Sequence, residues 1–470
     1  MCCSSKQKLG LPDPDFLITE LPEEAFLSVG DDPTRTLALS TSLTVLVVGV
    51  FFGIYGLILS DKFHKPSAAV LGATLMVGTG VLSETDLVSA INWTALGVLV
   101  GMFIIASSLR EAGFFEWMGL RLARSVDAHP VLMYVLLPLL TAGMASLLDI
   151  VTVALFIVPL TVEVFDGLGV DPIPFVIAEV LAANVGGIAT MVGDPTNVII
   201  GSSPLVNLSF NQFLYNTAPI ALAVLAVNSS ILYLRNHGFL HRDAMKRHRE
   251  RGPLQLPKPS SAVKDRGLLQ VSIVSLGLAV AFLIVHTFLG VSAALATLLP
   301  AFLILVYESS RSSEVRDVLG RIDWQIFFFF GGLFILVAGF AKTGLLVQLG
   351  GWMVQEAGGN LALAVTLVLW TTALISQIVD NVPLVTVFIP VIAAMSSFPG
   401  VSIAPLAWAL AVGAGIGGMA TPIGTASNVV ALNILNKEKK RLGFARFAKR
   451  SLPLTIIDLL IANIILLVRL

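Results

Sequence analysis

Six carboxylates fall inside strongly apolar stretches of this chain: Asp149, Glu163, Glu179, Asp194, Asp380 and Asp458. None of the 29 Lys and Arg residues falls inside the same stretches. A carboxylate in hydrocarbon is costly, and without a basic partner it must take up a proton, bind a metal cation or meet water. An acid-lined, base-free path therefore predicts coupling to a cation. Asp194 stands in GGIATMVGDPTN (186–197), where paired glycines, Pro195 and Asn197 are poor helix material. Asp149 stands in SLLDIVT (146–152) and Asp380 in SQIVDNVP (376–383), where Asn381 and Pro383 favour a turn. Glu163, Glu179 and Asp458 carry less weight, because each is placed where it can also face lipid headgroups. His286 reads as a packed core residue.

Asp194's segment has a second copy. Gly186, Gly187, Thr190, Gly193 and Asn197 recur as Gly417, Gly418, Thr421, Gly424 and Asn428 in GGMATPIGTASN (417–428), while Thr425 takes the place of Asp194. The same offset of 231 relates Trp93 to Trp324, Asp149 to Asp380 and Pro159 to Pro390. The chain thus divides into an acidic tail (1–36), a first repeat (37–234), a basic linker (235–267) and a second repeat (268–470). One half offers a titrating site at Asp194. The other offers a milder polar site of Thr425, Ser427 and Asn428.

These residues need a membrane scaffold. The chain has 470 residues, 56% of them apolar and 13% charged, with a mean hydropathy of +0.89, too apolar for a soluble protein of this size. Spans are predicted at 37–59, 66–82, 93–109, 173–200, 211–234, 268–290, 293–307, 322–341, 403–435 and 451–468, with helical hairpins at 131–165 and 361–397. Trp93 and Trp324 read as interface anchors. With both termini outside, the inner loops carry 24 of the 29 Lys and Arg residues, the bias expected of cytoplasmic loops. The linker is then cytoplasmic, and its basic run HRDAMKRHRER (241–251) faces anionic lipid rather than nucleic acid. No cleavable signal peptide is evident, and Cys2 and Cys3 read as part of an unstructured tail.

Each half makes an odd number of crossings, so the halves point in opposite directions. Inverted repeats with broken helices are the architecture of many secondary transporters, with the site near the bilayer midplane. Segment 173–200 is long for one straight crossing, and a break at Gly193-Asp194-Pro195 frees backbone groups that are tolerable only around a cavity or inside protein. As a structural alternative, the glycines simply allow close helix packing and GDPT is an ordinary turn. The expected fold is an all-α polytopic membrane protein of two inverted repeats, about 10 transmembrane helices plus two hairpins.

GGIATMVGDPTNVIIG, DNVPLVTVFIPVI (380–392) and GGMATPIGTASNVVAL together resemble the ion transporter superfamily, in its branch of arsenite permeases, the melanosomal P protein and sodium/proton antiporters. The resemblance runs from about residue 40 to the end. It implies a scaffold, a mobile transport unit and alternating access of the elevator type. It also implies a site of Asp149, Thr152, Thr190, Asp194, Thr196 and Asn197 in one half and Asp380, Asn381, Thr421, Thr425, Ser427 and Asn428 in the other. Gly186, Gly187, Gly193, Pro195, Gly417, Gly418 and Gly424 would shape its backbone. The hairpin tips depart from the Ser-Asn-Thr of the dicarboxylate branch, which argues against a di- or tricarboxylate.

Proton-coupled efflux of a small neutral or weakly acidic solute, with arsenite or antimonite as the candidate, leads. A sodium/proton antiporter binding sodium at the same residues is the alternative. An intramembrane aspartyl protease lacks its Gly-x-Gly-Asp run here, and a passive channel has little use for buried carboxylates. No cofactor and no fixed metal are expected beyond the coupling proton or sodium ion. The expected partners are the solute and the bilayer, with a homodimer and an ATPase partner left open.

Overall fold

The computed structural model describes residues 40–60, 62–238, 240, 257–311 and 324–470. The acidic tail and the 241–251 run lie outside them. Among the described residues every regular element is a helix. The first series is α1 (Thr41–Leu59), α2 (Lys65–Gly78), α3 (Glu84–Ala90), α4 (Trp93–Glu111), α5 (Phe114–Ser125), α6 (Pro130–Ala145), α7 (Ile150–Leu168), α8 (Ile173–Ile188), α9 (Pro195–Ser202) and α10 (Phe210–Gly238). After the short α11 (Pro259–Ala262) come α12 (Arg266–Leu289), α13 (Ala293–Ser309), α14 (Trp324–Ala341), α15 (Leu345–Glu356), α16 (Leu361–Ser376), α17 (Asn381–Ser396), α18 (Ile403–Gly418), α19 (Ala426–Lys437) and α20 (Phe444–Val468). The second series follows the first in order, and α5 with α15 and α6 with α16 keep the offset of 231 at both ends.

Seven described helices are long and apolar enough to cross a membrane. Six further apolar helices of 10–17 residues include three hairpin arms and the longer half of each broken segment. Trp93 and Trp324 each open a helix and are half exposed. Two helices of 12 residues lie where only loops were expected. α5 and its counterpart α15 pack on the hairpin arms α7 and α17. They are amphipathic and too short to cross, so a search for long apolar stretches passes over them.

The helices pack as two groups. α1, α2, α4, α12, α13 and α14 form one, in which α14 lies on α2 and α13 on α4. The hairpins α6/α7 and α16/α17, the broken pairs α8/α9 and α18/α19, and the long α10 and α20 form the other. Within it the two halves interlock: α9 packs on α17 and α19 on α7.

Sequence dictates where the chain breaks. α8 ends just past Gly186 and Gly187, and α9 begins at Pro195 with Asp194 as its cap. Pro at the first helical position surrenders only an N–H that would have no partner. α18 likewise ends at Gly418, and α19 restarts after Thr425. None of these glycines has a left-handed backbone. They are there for close approach: a methyl on Gly186 would strike the Ala142 carbonyl, and one on Gly417 the Ala373 carbonyl, the same contact in each half. The packing explanation therefore holds for the glycines, while the break itself is real.

Gly417→Ala must push α18 off α16 against backbone. It is expected to lower stability by about 1–3 kcal/mol, seen as a lower melting temperature in lipid nanodiscs. Ala at the open, unhindered Gly143 should leave that temperature nearly unchanged.

Candidate functional site

Both hairpin tips present a carboxylate at a helix start. The Asp149 carboxylate caps α7, accepting from the Thr152 N–H at 2.9 Å and the Thr152 hydroxyl at 3.1 Å. Asp380 precedes α17 in the same way but makes no cap. It turns instead to α2, where Lys65 Nζ donates to its Oδ2 at 3.1 Å. The expectation of base-free carboxylates is therefore corrected at Asp380. Lys65 is the first residue of α2, just outside its apolar run, and the folded chain carries a tip 315 residues away to it. The Tyr55 hydroxyl of α1 holds the same tip by donating to the Pro383 carbonyl at 3.0 Å.

Asp194 is buried, and its Oδ1 accepts from the Thr196 N–H at 2.7 Å and the Thr196 hydroxyl at 2.5 Å. The first tip touches the first break, where a methyl on Gly193 would strike the Ala145 carbonyl, and α9 packs on α17, which Asp380 precedes. The two tips and the first break thus meet in space. Among the described residues no three His, Cys, Asp or Glu side chains sit close enough to hold a metal ion together.

Matching side chains lock the two breaks. Asn197 donates to the Gly187 and Thr190 carbonyls, both at 2.9 Å; Asn428 donates to those of Gly418 at 3.0 Å and Thr421 at 2.8 Å. The Thr190 hydroxyl donates to the Ser146 carbonyl at 2.5 Å and that of Thr421 to the Gln377 carbonyl at 2.6 Å. These four side chains spend their donors on carbonyls that the breaks and tips leave without helical partners. They hold the site's backbone in shape.

The second break adds Thr425 and Ser427, whose hydroxyls lie 3.0 Å apart, and both are buried. Asn184 of α8 ties this side to the first half: its Nδ2 donates to Asn428 Oδ1 at 3.0 Å, and Ser427 Oγ donates to its Oδ1 at 3.4 Å. Asn381 is buried at the second tip and accepts from the Ser376 hydroxyl at 2.5 Å.

A cavity of about 350 Å³ opens onto this assembly. Asp149, Val151, Thr152 and Pro195 form its inner wall; Phe103, Ser107 and Arg110 of α4 and Phe329 and Phe330 of α14 face them. Of the residues expected at the site, only Asp149, Thr152 and Pro195 line this opening. Asp194, Thr196, Asn381, Thr425, Ser427 and Asn428 are buried and do not line it. The opening sits beside the C-terminal end of α4 and the N-terminal end of α14, which adjoin two of the basic loops in sequence.

Sequence reasoning passed over Lys65, Arg110, Asn184 and Ser376. Asn184 had a signal, as an amide within the apolar run FVIAEVLAANV. The others had none. Of the weaker carboxylates, Glu163 is exposed, while Glu179 and Asp458 are fully buried. Glu179 accepts from the Thr161 hydroxyl at 2.6 Å. His286 is only part-buried and bonds the carbonyl of Leu283 in its own helix, at 2.8 Å.

Paired tips and breaks inside a helical membrane bundle define a multi-pass membrane transporter. Residues 55–413 match the citrate transporter family, and the chain belongs to that family, within the ion transporter superfamily. An uncharacterized transporter of Mycobacterium tuberculosis is 35% identical over 433 residues, covering 91% of this chain and 99% of that protein. The P protein of Sus scrofa is 28% identical over 513 residues, covering 92% of this chain and 60% of that protein. Among solved structures, the YdaH transporter of Alcanivorax borkumensis superposes with a TM-score of 0.59 at 16% identity, covering 86% of this chain and 98% of that one. The MtrF efflux pump of Neisseria gonorrhoeae gives 0.54 at 14%, with 80% of each chain covered. These two show the shared fold.

Proposed function

We propose that the chain is a proton-coupled secondary transporter that exports a small neutral or weakly acidic hydroxylated solute, arsenite or antimonite being the candidates, and that it is not an enzyme. The observation that carries this reading is the packing of the Asp149 hairpin tip on the break capped by Asp194, and of that break's α9 on α17, which Asp380 precedes, with Asp149 lining a cavity. A neutral hydroxylated solute needs donors and acceptors, which Ser107 and Thr152 offer at the cavity, with Thr425 and Ser427 reached only when their buried side of the site opens. A free citrate trianion would meet one carboxylate, Asp149, and one cation, Arg110, in this lining, which offers it no excess of positive charge.

Sidedness follows from charge. With the basic loops cytoplasmic and both termini outside, the cavity faces the cytoplasm, ready to load a solute for export. Export then requires the hairpins and broken helices to slide past α1, α2, α4 and α14. The polar bonds that such a movement must break include Tyr55–Pro383, Lys65–Asp380 and Asn92–Ser202, the last at 3.2 Å.

Sodium/proton antiport is the second reading, favoured by the carboxylate and hydroxyl oxygens at Asp149–Thr152 and Asp194–Thr196, which suit a hard cation. Flux in proteoliposomes separates the two. Proton and sodium gradients are imposed separately against arsenite, antimonite, silicic acid and sodium. The expected result is metalloid movement driven by the proton gradient alone. Sodium movement without metalloid flux would establish the second reading, and movement of none of the four would sink both.

A further inference from the structure

Asp458 lies within α20, a helix that carries none of the expected site residues, and it is completely buried. Its Oδ2 accepts from Asn228 Nδ2 of α10 at 2.9 Å. Its other oxygen has no partner, and neither does Asn228 Oδ1, although both atoms are buried. Two buried acceptors without donors are expensive and rarely left so without a use. We propose that Asp458 and Asn228 form a second proton-binding site, at the junction of α10 and α20.

Asparagine is a partner for either form of the acid. Its Nδ2 donates to a carboxylate, and after a half-turn of the amide its Oδ1 accepts from a carboxyl O–H. The pair therefore gains or loses a proton without setting donor against donor. Loading transfers a proton from hydronium to a carboxylate oxygen, forming one O–H bond and leaving water. Two oxygens fall well short of the roughly six that a hard metal ion gathers, so the ligand is a proton.

Polar groups adjoin the pair on the Asn228 side. A small cavity of about 10 Å³, lined by Asn228, Ser229 and Leu232 of α10 and Tyr134 of α6, has room for one water. Tyr134 Oη donates to the Leu232 carbonyl at 3.4 Å and accepts from Asn236 at 2.9 Å, which carries polar groups on to the end of α10. The elements packed on α20 add little charge nearby. α16 and α18 hold no titratable side chain; α10 holds Tyr215, Tyr233, Arg235 and His237 towards its ends; α20 itself holds Arg446, Lys449 and Arg450, two or more turns before Asp458.

Infrared difference spectroscopy on the full chain in lipid vesicles, stepped from alkaline to acid without any solute, tests this. The wild type should gain a buried carboxyl C=O band that is missing in Asp458→Asn and displaced in Asn228→Ser. A spectrum identical in wild type and Asp458→Asn overturns the proposal. Should Asp458→Asn fail to fold, Asn228→Ser decides: a displaced band supports the site and an unmoved one overturns it. No transport is measured, so the outcome is independent of the transported solute.

Discussion

Asp194→Asn is expected to abolish coupled flux and leave the protein folded. The proposed mechanism gives the carboxylate two duties, and this substitution separates them. One is structural: Asp194 Oδ1 caps α9 through the Thr196 N–H at 2.7 Å. Asn caps helices about as well as Asp, so the break should keep its shape at a cost of a few tenths of a kcal/mol. The other duty needs a group that can carry charge, and an amide cannot take up a proton or balance a cation. Flux driven by a proton gradient should therefore fall to the level of empty vesicles, with a melting temperature close to wild type. Asp194→Ala should lose flux and about 1 kcal/mol of stability together, because the cap goes too. Full coupled flux in Asp194→Asn would remove the central claim about this site. Asp149→Asn is expected to behave alike, since Asp149 caps α7 through Thr152.

Much of this site is legible in the residues alone. Tips and breaks announce themselves because Asp-Pro, Asn-x-Pro and paired Gly are poor helix material inside apolar runs, and a second copy at one offset confirms them. What those residues do with their hydrogen bonds is not legible there. Asn197 and Asn428 look like ligands in a motif, but folding turns them onto the carbonyls that each break exposes. Gly186 and Gly417 look like backbone-shaping residues of the site, but they are small because another helix's carbonyl lies where a side chain would go. Nor does hydropathy reveal pairings. It discards Lys65 as a residue of a loop, whereas the fold brings the opposite hairpin tip to it. The aromatic wall of Phe103, Phe329 and Phe330 is equally silent, because in sequence these are ordinary apolar residues of α4 and α14.

Lys65→Glu should close the cavity on its present side. The Lys65–Asp380 pair joins α2 to a hairpin tip of the other packing group, and it exists only while the tip stands beside the start of α2. Reversing the charge sets two carboxylates against each other where an ion pair stood. Two like charges 4 Å apart repel by ~4 kcal/mol at an effective dielectric of 20. The side chains are 35% and 27% exposed, so solvent screening cuts the penalty to roughly 1–2 kcal/mol. That is about a five- to thirtyfold loss of this arrangement relative to any other the protein visits. Labelling reports it directly. The chain's only cysteines are Cys2 and Cys3, so both are replaced by Ser and one Cys is placed at Val151, on the cavity wall. A membrane-impermeant thiol reagent applied from the cavity side should modify that Cys several-fold more slowly in Lys65→Glu. Exchanging the charges, Lys65→Asp with Asp380→Lys, should restore the labelling rate but not proton-driven flux, because the pairing returns while the tip carboxylate does not. Unchanged labelling in Lys65→Glu would show that the ion pair has no hold on which side is open. Recovery of coupled flux in the exchanged variant would take Asp380 out of the coupling site and leave it a purely positional role.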